Sequence, residues 1–282
     1  MASDSSREVP LSPGCAVSAA ARQLVVHVRQ RRSWDCGIAC VAMVVSMLEC
    51  EYCGAPEHAA GLTVAAMSDD KAAPLLGELA RLVATTSTWT ADLAFLLSVL
   101  GVPCTLRSTH LGVDEGLEDM PFYRDHVGAD RARVHGRLSA MRSGTDGTTE
   151  RFSPVELIES ATDLVVLRDA VRSGWLAVVL TDGRKLVTAD GVLGAALMWA
   201  QQRGGDDGFA GHYVVVVAWS GRESSTACER VGILDPVDTA ASLRWVSAPR
   251  FDAARLARGT DSDVILIQLR PASAAWVGRK LA

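Results

Sequence analysis

The sequence is poor in what nucleic-acid binding requires. Aromatic residues make up 5% of the 282, and 28 Lys and Arg are outnumbered by 33 Asp and Glu, for a net charge of −5. Phosphate backbones call for surplus positive charge and bases for stacking rings, so nucleic acid is excluded as the main partner. No uninterrupted apolar run approaches the ~20 residues of a membrane helix, and the longest lie at 38–48 and 213–219. The opening MASDSSREVPLSPGC lacks the apolar centre of an export signal. Seven cysteines are an odd number, spread too thinly for a disulfide framework. The expectation is a reduced, cytoplasmic protein with no membrane segment. A G-x-x-x-x-G-K-[ST] phosphate loop is missing. Cys50 and Cys53 form a lone C-x-x-C, without the second pair that structural zinc usually takes.

Apolar residues are abundant, at 49%, which is enough for a sizeable core. Residues 1–22, rich in Ser, Ala and Pro, read as a flexible leader. Residues 23–271 read as one domain with an irregular insertion at 186–211, and 272–282 as a tail. Asp35 is a good N-cap type, and the following Ala39–Val45 is apolar on nearly every side. A helix of that kind lies inside a domain, here ending near Glu49–Glu51. Further helices are expected over 73–83, 90–100 (closed by Gly101), 125–144 and 163–173 (ended by Gly174). Ser153-Pro154-Val155-Glu156 has an N-cap type, a proline and a first-turn acid, which predicts another helix start. β-rich runs occupy 24–28, 102–106, 175–180, 212–219, 231–234 and 264–269. Helices first and strands later point to an α+β fold with a mainly antiparallel sheet.

Four residues carry candidate chemistry. Cys36 follows the expected N-cap, where unpaired N–H groups and the helix dipole favour a thiolate. Its plainer reading is a small buried apolar residue. Gly37 beside it leaves room for a substrate backbone. His212 opens the most apolar strand and so stands at a sheet edge or mouth, where a lone His is more often structural. Asp235 ends the next strand, and if the two strands are neighbours it orients the imidazole. Gln30 precedes Cys36 by six residues and supplies an amide donor for an oxyanion, with the Cys36 N–H as the second. Within Arg29-Gln30-Arg31-Arg32-Ser33 it also reads as a surface residue.

Together these residues resemble a known pattern. Gln30 and Asp35-Cys36-Gly37-Ile38-Ala39-Cys40 are similar to the motif of bacteriocin-leader-processing thiol peptidases. Gly211-His212-Tyr213 and Ile233-Leu234-Asp235-Pro236 resemble the His and Asp segments of the same papain-like superfamily. That resemblance implies a papain-like cysteine peptidase fold, with Cys36 as nucleophile, His212 as base and acid, Asp235 as orienter and Gln30 as oxyanion donor. It implies no cofactor, and a peptide or small amide as substrate. A longer resemblance, from about Gln30 to Leu269, is to the guanylyl cyclase domain-containing family of plants and animals. It rests on Trp34–Cys40, Ser87–Ala94, Thr109–Val113, Phe122-Tyr123, Gly211-His212-Tyr213 and Gly259–Asp263. It implies conversion of GTP to cyclic GMP, for which Mg²⁺ or Mn²⁺ is required. Asp261 and Asp263 are candidate metal carboxylates, or simply a strand-capping loop. A third expectation is a catalytically silent binding module on the same fold.

Overall fold

The computed structural model describes residues 24–49, 62–145, 152–186, 209–221 and 229–269. In chain order the elements are β1 (Leu24–His27), α1 (Cys36–Glu49), β2 (Thr63–Ala66), α2 (Asp69–Val83), α3 (Thr90–Val99) and β3 (Cys104–Ser108). There follow α4 (Val127–Ser143), β4 (Val155–Glu159), α5 (Leu164–Arg172), β5 (Trp175–Asp182) and the short α6 (Gly183–Leu186). β6 (Gly211–Ser220), β7 (Arg230–Leu234), β8 (Arg244–Ser247), α7 (Ala248–Arg255) and β9 (Val264–Gln268) complete it. The class is α+β. A seven-stranded sheet runs β4-β3-β9-β5-β6-β7-β8, with only β3 and β4 parallel, and β1 pairs with β2 in a separate parallel ribbon.

The sheet is covered on both faces, which is why its central strands are unbroken apolar runs. In β6, Tyr213, Val215 and Val217 join the core made by α1 to α4, whereas Val214 and Val216 join a second core under α5 and α7. β5 divides its side chains likewise, with Leu176, Val178 and Leu180 on the first core and Ala177 and Val179 on the second. Each fully buried Val, Leu or Ile stabilises by about 1.5–3 kcal/mol, so two cores on one sheet hold its strand ends firmly. Eleven of the fourteen residues of α1 are buried, as its all-round apolar pattern requires. Among the described residues no helix is long and apolar enough to cross a membrane.

Two expectations fail. Residues 155–159 form a strand, not a helix: β4 pairs in parallel register with β3, from Cys104↔Val155 to Ser108↔Glu159. Proline and capping types are local signals, and an open edge on β3 overrides them because the whole ladder is satisfied at once. The Pro154 carbonyl accepts from Cys104 N at 3.3 Å, so the proline starts the strand, a position where its missing N–H is tolerated. α2 also begins at Asp69 rather than 73, with Asp69 and Asp70 in its first turn. β2, β8 and α7 were too short to leave a period in the sequence. The leader, most of the insertion, the tail, Gly204–Gly208 and the Cys50/Cys53 pair lie outside the described residues.

Candidate active site

Cys36 is the first residue of α1, 6% exposed, on a cleft of about 200 Å³. Asp35 occupies the N-cap position, its carbonyl accepting from Ala39 N at 2.9 Å. Its carboxylate turns the other way, accepting from the backbone N–H groups of Arg31 and Arg32 at 3.0–3.3 Å. Burial raises the Asp35 pKa above its ordinary value, against those backbone bonds. The consequence is chemical: an N-cap whose side chain does not bond its own helix leaves first-turn N–H groups for a ligand.

Packing of β6 on α1 brings His212 to this helix end. The antiparallel pairing of β6 and β7, with Val215 opposite Leu234, sets Asp235 beside the start of β6. His212 Nε2 donates to Asp235 Oδ1 at 2.7 Å, and the imidazole also hydrogen-bonds Cys36. His212 is 2% exposed and Asp235 fully buried. Burial alone would push the imidazole pKa down, but the Asp235 charge and bond, with those of Cys36, carry it to about 10. Burial would likewise raise Asp235, yet His212 and Arg244 hold it below the usual carboxylate range. Arg244 Nη1 lies 3.0 Å from Asp235 Oδ2 as an ion pair, at an angle too poor for a hydrogen bond. Val237 N donates to Oδ1 at 3.0 Å. The expected convergence of Cys36, His212 and Asp235 is therefore present in the fold.

Gln30 is not a surface residue, being 6% exposed. Its backbone N–H donates to Pro236 O at 2.9 Å, which ties it to the Asp235 segment. His27 Nε2 strengthens that tie by donating to the Asp235 carbonyl at 2.8 Å. The Gln30 amide, however, donates to Arg32 O at 2.8 Å, and its buried Oε1 has no described partner. One amide hydrogen remains for other use. Gly37 serves packing and not substrate: an added Cβ would lie 2.8 Å from Leu93 Cδ1 and 3.0 Å from Tyr213 Cδ2. Cys40 is fully buried, with its thiol pushed well above its ordinary pKa by burial, Cys36 and Asp235. It belongs to the core.

The opposite wall of the cleft holds the two residues that the sequence offers as metal carboxylates or a strand-capping loop. Asp261 and Asp263 both line it, on a turn where Asp261 and Ser262 take left-handed φ of 49° and 54°. Two successive non-glycine residues in that region store strain, which concentrates at functional sites. Asp263 is 8% exposed; its carboxylate accepts from the Thr90 hydroxyl, which also bonds Tyr213 Oη at 2.8 Å. Burial raises the Asp263 pKa to about 7, and burial with Asp114 raises Asp261 to about 6. Trp89 lines the cleft as well, its backbone N–H donating to Asp92 Oδ2 at 2.8 Å and its indole N–H to Asp130 Oδ2 at 2.9 Å. Asp92 in turn is gripped by Arg133 and Arg137.

The curated protein Guanylyl cyclase 1 of Arabidopsis thaliana is 27% identical to this chain over 247 residues, which are 87% of this chain and 76% of that protein. A family model described as "Guanylylate cyclase" matches residues 25–267. That stretch runs from β1 into β9 and takes in Gln30, Cys36, His212, Asp235 and both acids of the opposite wall, so the chain belongs to this family.

Proposed function

We propose that this chain is a thiol hydrolase of papain-like architecture that cleaves an amide or peptide bond. One observation carries the reading: a single imidazole bridges a buried carboxylate and a cysteine that opens onto a cleft. His212 keeps its proton at neutral pH and so is the counter-ion that a thiolate nucleophile needs. The Cys36 sulfur adds to the substrate carbonyl, and the free N–H groups at the start of α1 receive the oxyanion, with Gln30 as second donor. Collapse breaks the C–N bond while the His212 proton passes to the leaving nitrogen. Water, deprotonated by His212, then cleaves the thioester and restores the thiolate–imidazolium pair. Asp235 keeps Nε2 as the donor, so the other ring nitrogen faces the sulfur.

Iodoacetamide labelling read by peptide mass spectrometry tests this. Cys36 should react far faster than Cys40, and His212→Ala should slow it at least about tenfold at pH 7. An unchanged rate would sink the hydrolase and favour a silent binding module.

The second reading is a guanylyl cyclase, favoured by the family description and by the name of the Arabidopsis relative. Its divalent ions call for clustered carboxylates and its triphosphate for cations. Among the described residues no three His, Cys, Asp or Glu side chains are grouped as a metal site, and no Lys or Arg lines the cleft. The described residues do not fit those ions. Cyclic GMP formed from GTP with Mn²⁺, undiminished by Cys36→Ala, would establish this reading in place of the first.

A further inference from the structure

The cleft beside Cys36 is asymmetric in charge. On the far wall Asp263 is more than nine-tenths buried, and its carboxylate is served by the hydroxyls of Thr90 and Ser108 only, so no cation is paired with it among the described residues. Asp92, Glu229 and Asp235 each lie against at least one arginine, and the buried Asp35 and Asp182 are held by backbone N–H groups, so Asp263 differs from them in having hydroxyls alone. Asp261 is next to it, half-buried, and no described hydrogen bond or ion pair reaches its carboxylate. The same cleft is lined by the rings of Trp89, Phe122 and Tyr123, which are faces a cation can rest on. His126 is the one described lining side chain able to carry positive charge.

We propose that this cleft selects substrates bearing a positive charge, an amine or a guanidinium, placed toward Asp261 and Asp263, and repels phosphorylated ligands. The inference rests on Cys36 being the reactive centre. A cation on the substrate supplies the counter-charge that the fold withholds from Asp263, while Asp261 and the aromatic walls complete its surroundings. The raised pKa values of both acids have burial as their first cause, reinforced at Asp261 by Asp114 and at Asp263 by Asp261, while His110 acts the other way on Asp261. Attraction of this kind acts on approach as well as on binding, because a low-dielectric cleft lined by one sign of charge focuses the field.

Charged thiol reagents measure it directly on the full chain. Cys36 is modified with a cationic (trimethylammonioethyl), a neutral (methyl) and an anionic (sulfonatoethyl) methanethiosulfonate, and each rate is divided by that of a free small thiol. The corrected cationic-to-anionic ratio cancels the ionisation of Cys36 itself. It should be at least about tenfold at low salt and shrink as salt is added. Asp261→Asn should lower it about threefold, and Asp261→Asn with Asp263→Asn should bring it near one. A ratio near one in the parent, or one unmoved by both substitutions, overturns the proposal. Should the double variant misfold by circular dichroism, Asp261→Asn decides, because its side chain makes no described bond. Protection of Cys36 from the neutral reagent by GTP without metal also overturns it. The two readings fail separately: a neutral-reagent rate unmoved by His212→Ala removes the hydrolase but not the charge ratio. A flat ratio removes the substrate class and leaves the His212 dependence intact.

Discussion

Asp235 at the end of β7 and Asp263 at the start of β9 are both buried carboxylates on the same sheet, and they behave in opposite ways. Asp235 has His212 and Arg244 against it and its pKa is held below the ordinary range, whereas Asp263 has only hydroxyls and is pushed up to about 7. Burial acts on both in the same direction. The difference therefore lies in the counter-charge, which decides whether a buried acid is a fixed anion or a proton carrier. The first suits the permanent orientation of an imidazole. The second suits a wall that takes on charge when a ligand brings the opposite sign.

The contrast can be broken from either side. The largest effect is expected from Arg244→Met, which strips a cation from Asp235 and Asp238 and should cost about 3 kcal/mol in urea unfolding. Next comes Asp263→Asn, read as stability against pH. The folded pKa of about 7 is above the unfolded carboxylate value, so the native state binds the extra proton and loses stability as pH rises from about 4 to 7. The amide keeps the bond from Thr90 without the charge. The variant should therefore flatten that decline and exceed the parent by on the order of 2 kcal/mol at pH 8; an unaltered slope would mean that Asp263 has a cation after all. Thr90→Val should cost about 1–2 kcal/mol by removing the hydroxyl between Tyr213 and Asp263, seen as a lower melting temperature. The smallest effect belongs to the exposed pair Arg31–Asp69, where Asp69→Ala should change stability by less than about 0.5 kcal/mol. Water there screens what the interior does not.

Much of the fold could be read from the chain itself. The all-round apolar Ala39–Val45 forms an interior helix, and the runs at 175–180, 212–219, 231–234 and 264–269 are strands. Gly101, Gly144 and Gly174 stand past the ends of α3, α4 and α5 at positive φ, as turn chemistry requires. Where reading failed, it failed on signals that several structures share. Ser153-Pro154 opens strands as readily as helices, and only the neighbouring β3 decided which. Gly37 looked like room for a ligand because sequence cannot tell which side chains fill the place of a missing Cβ.

The candidate site divides along the same line. Cys36, His212 and Asp235 stood out because each sits at an element boundary in a type suited to thiol chemistry, and Gln30 because of its spacing to Cys36. Asp261 and Asp263 read as metal carboxylates or a capping loop and not as part of the Cys36 cleft, because two aspartates before a strand are usually a solvated cap. Their importance comes from Thr90, Tyr213 and Tyr123, which arrive from elsewhere in the chain and exclude water around them.

By itself the sequence determined which segments are apolar on one face or on every face, where helices stop, and which residue types are available for chemistry, because these depend on neighbours within a few positions. Only the tertiary structure decided that a thiol, an imidazole and a carboxylate meet, and that one buried acid receives an arginine while another receives none. Such meetings join residues up to about two hundred positions apart, and ionisation depends on every charge and every water displaced around a group, which no local pattern encodes.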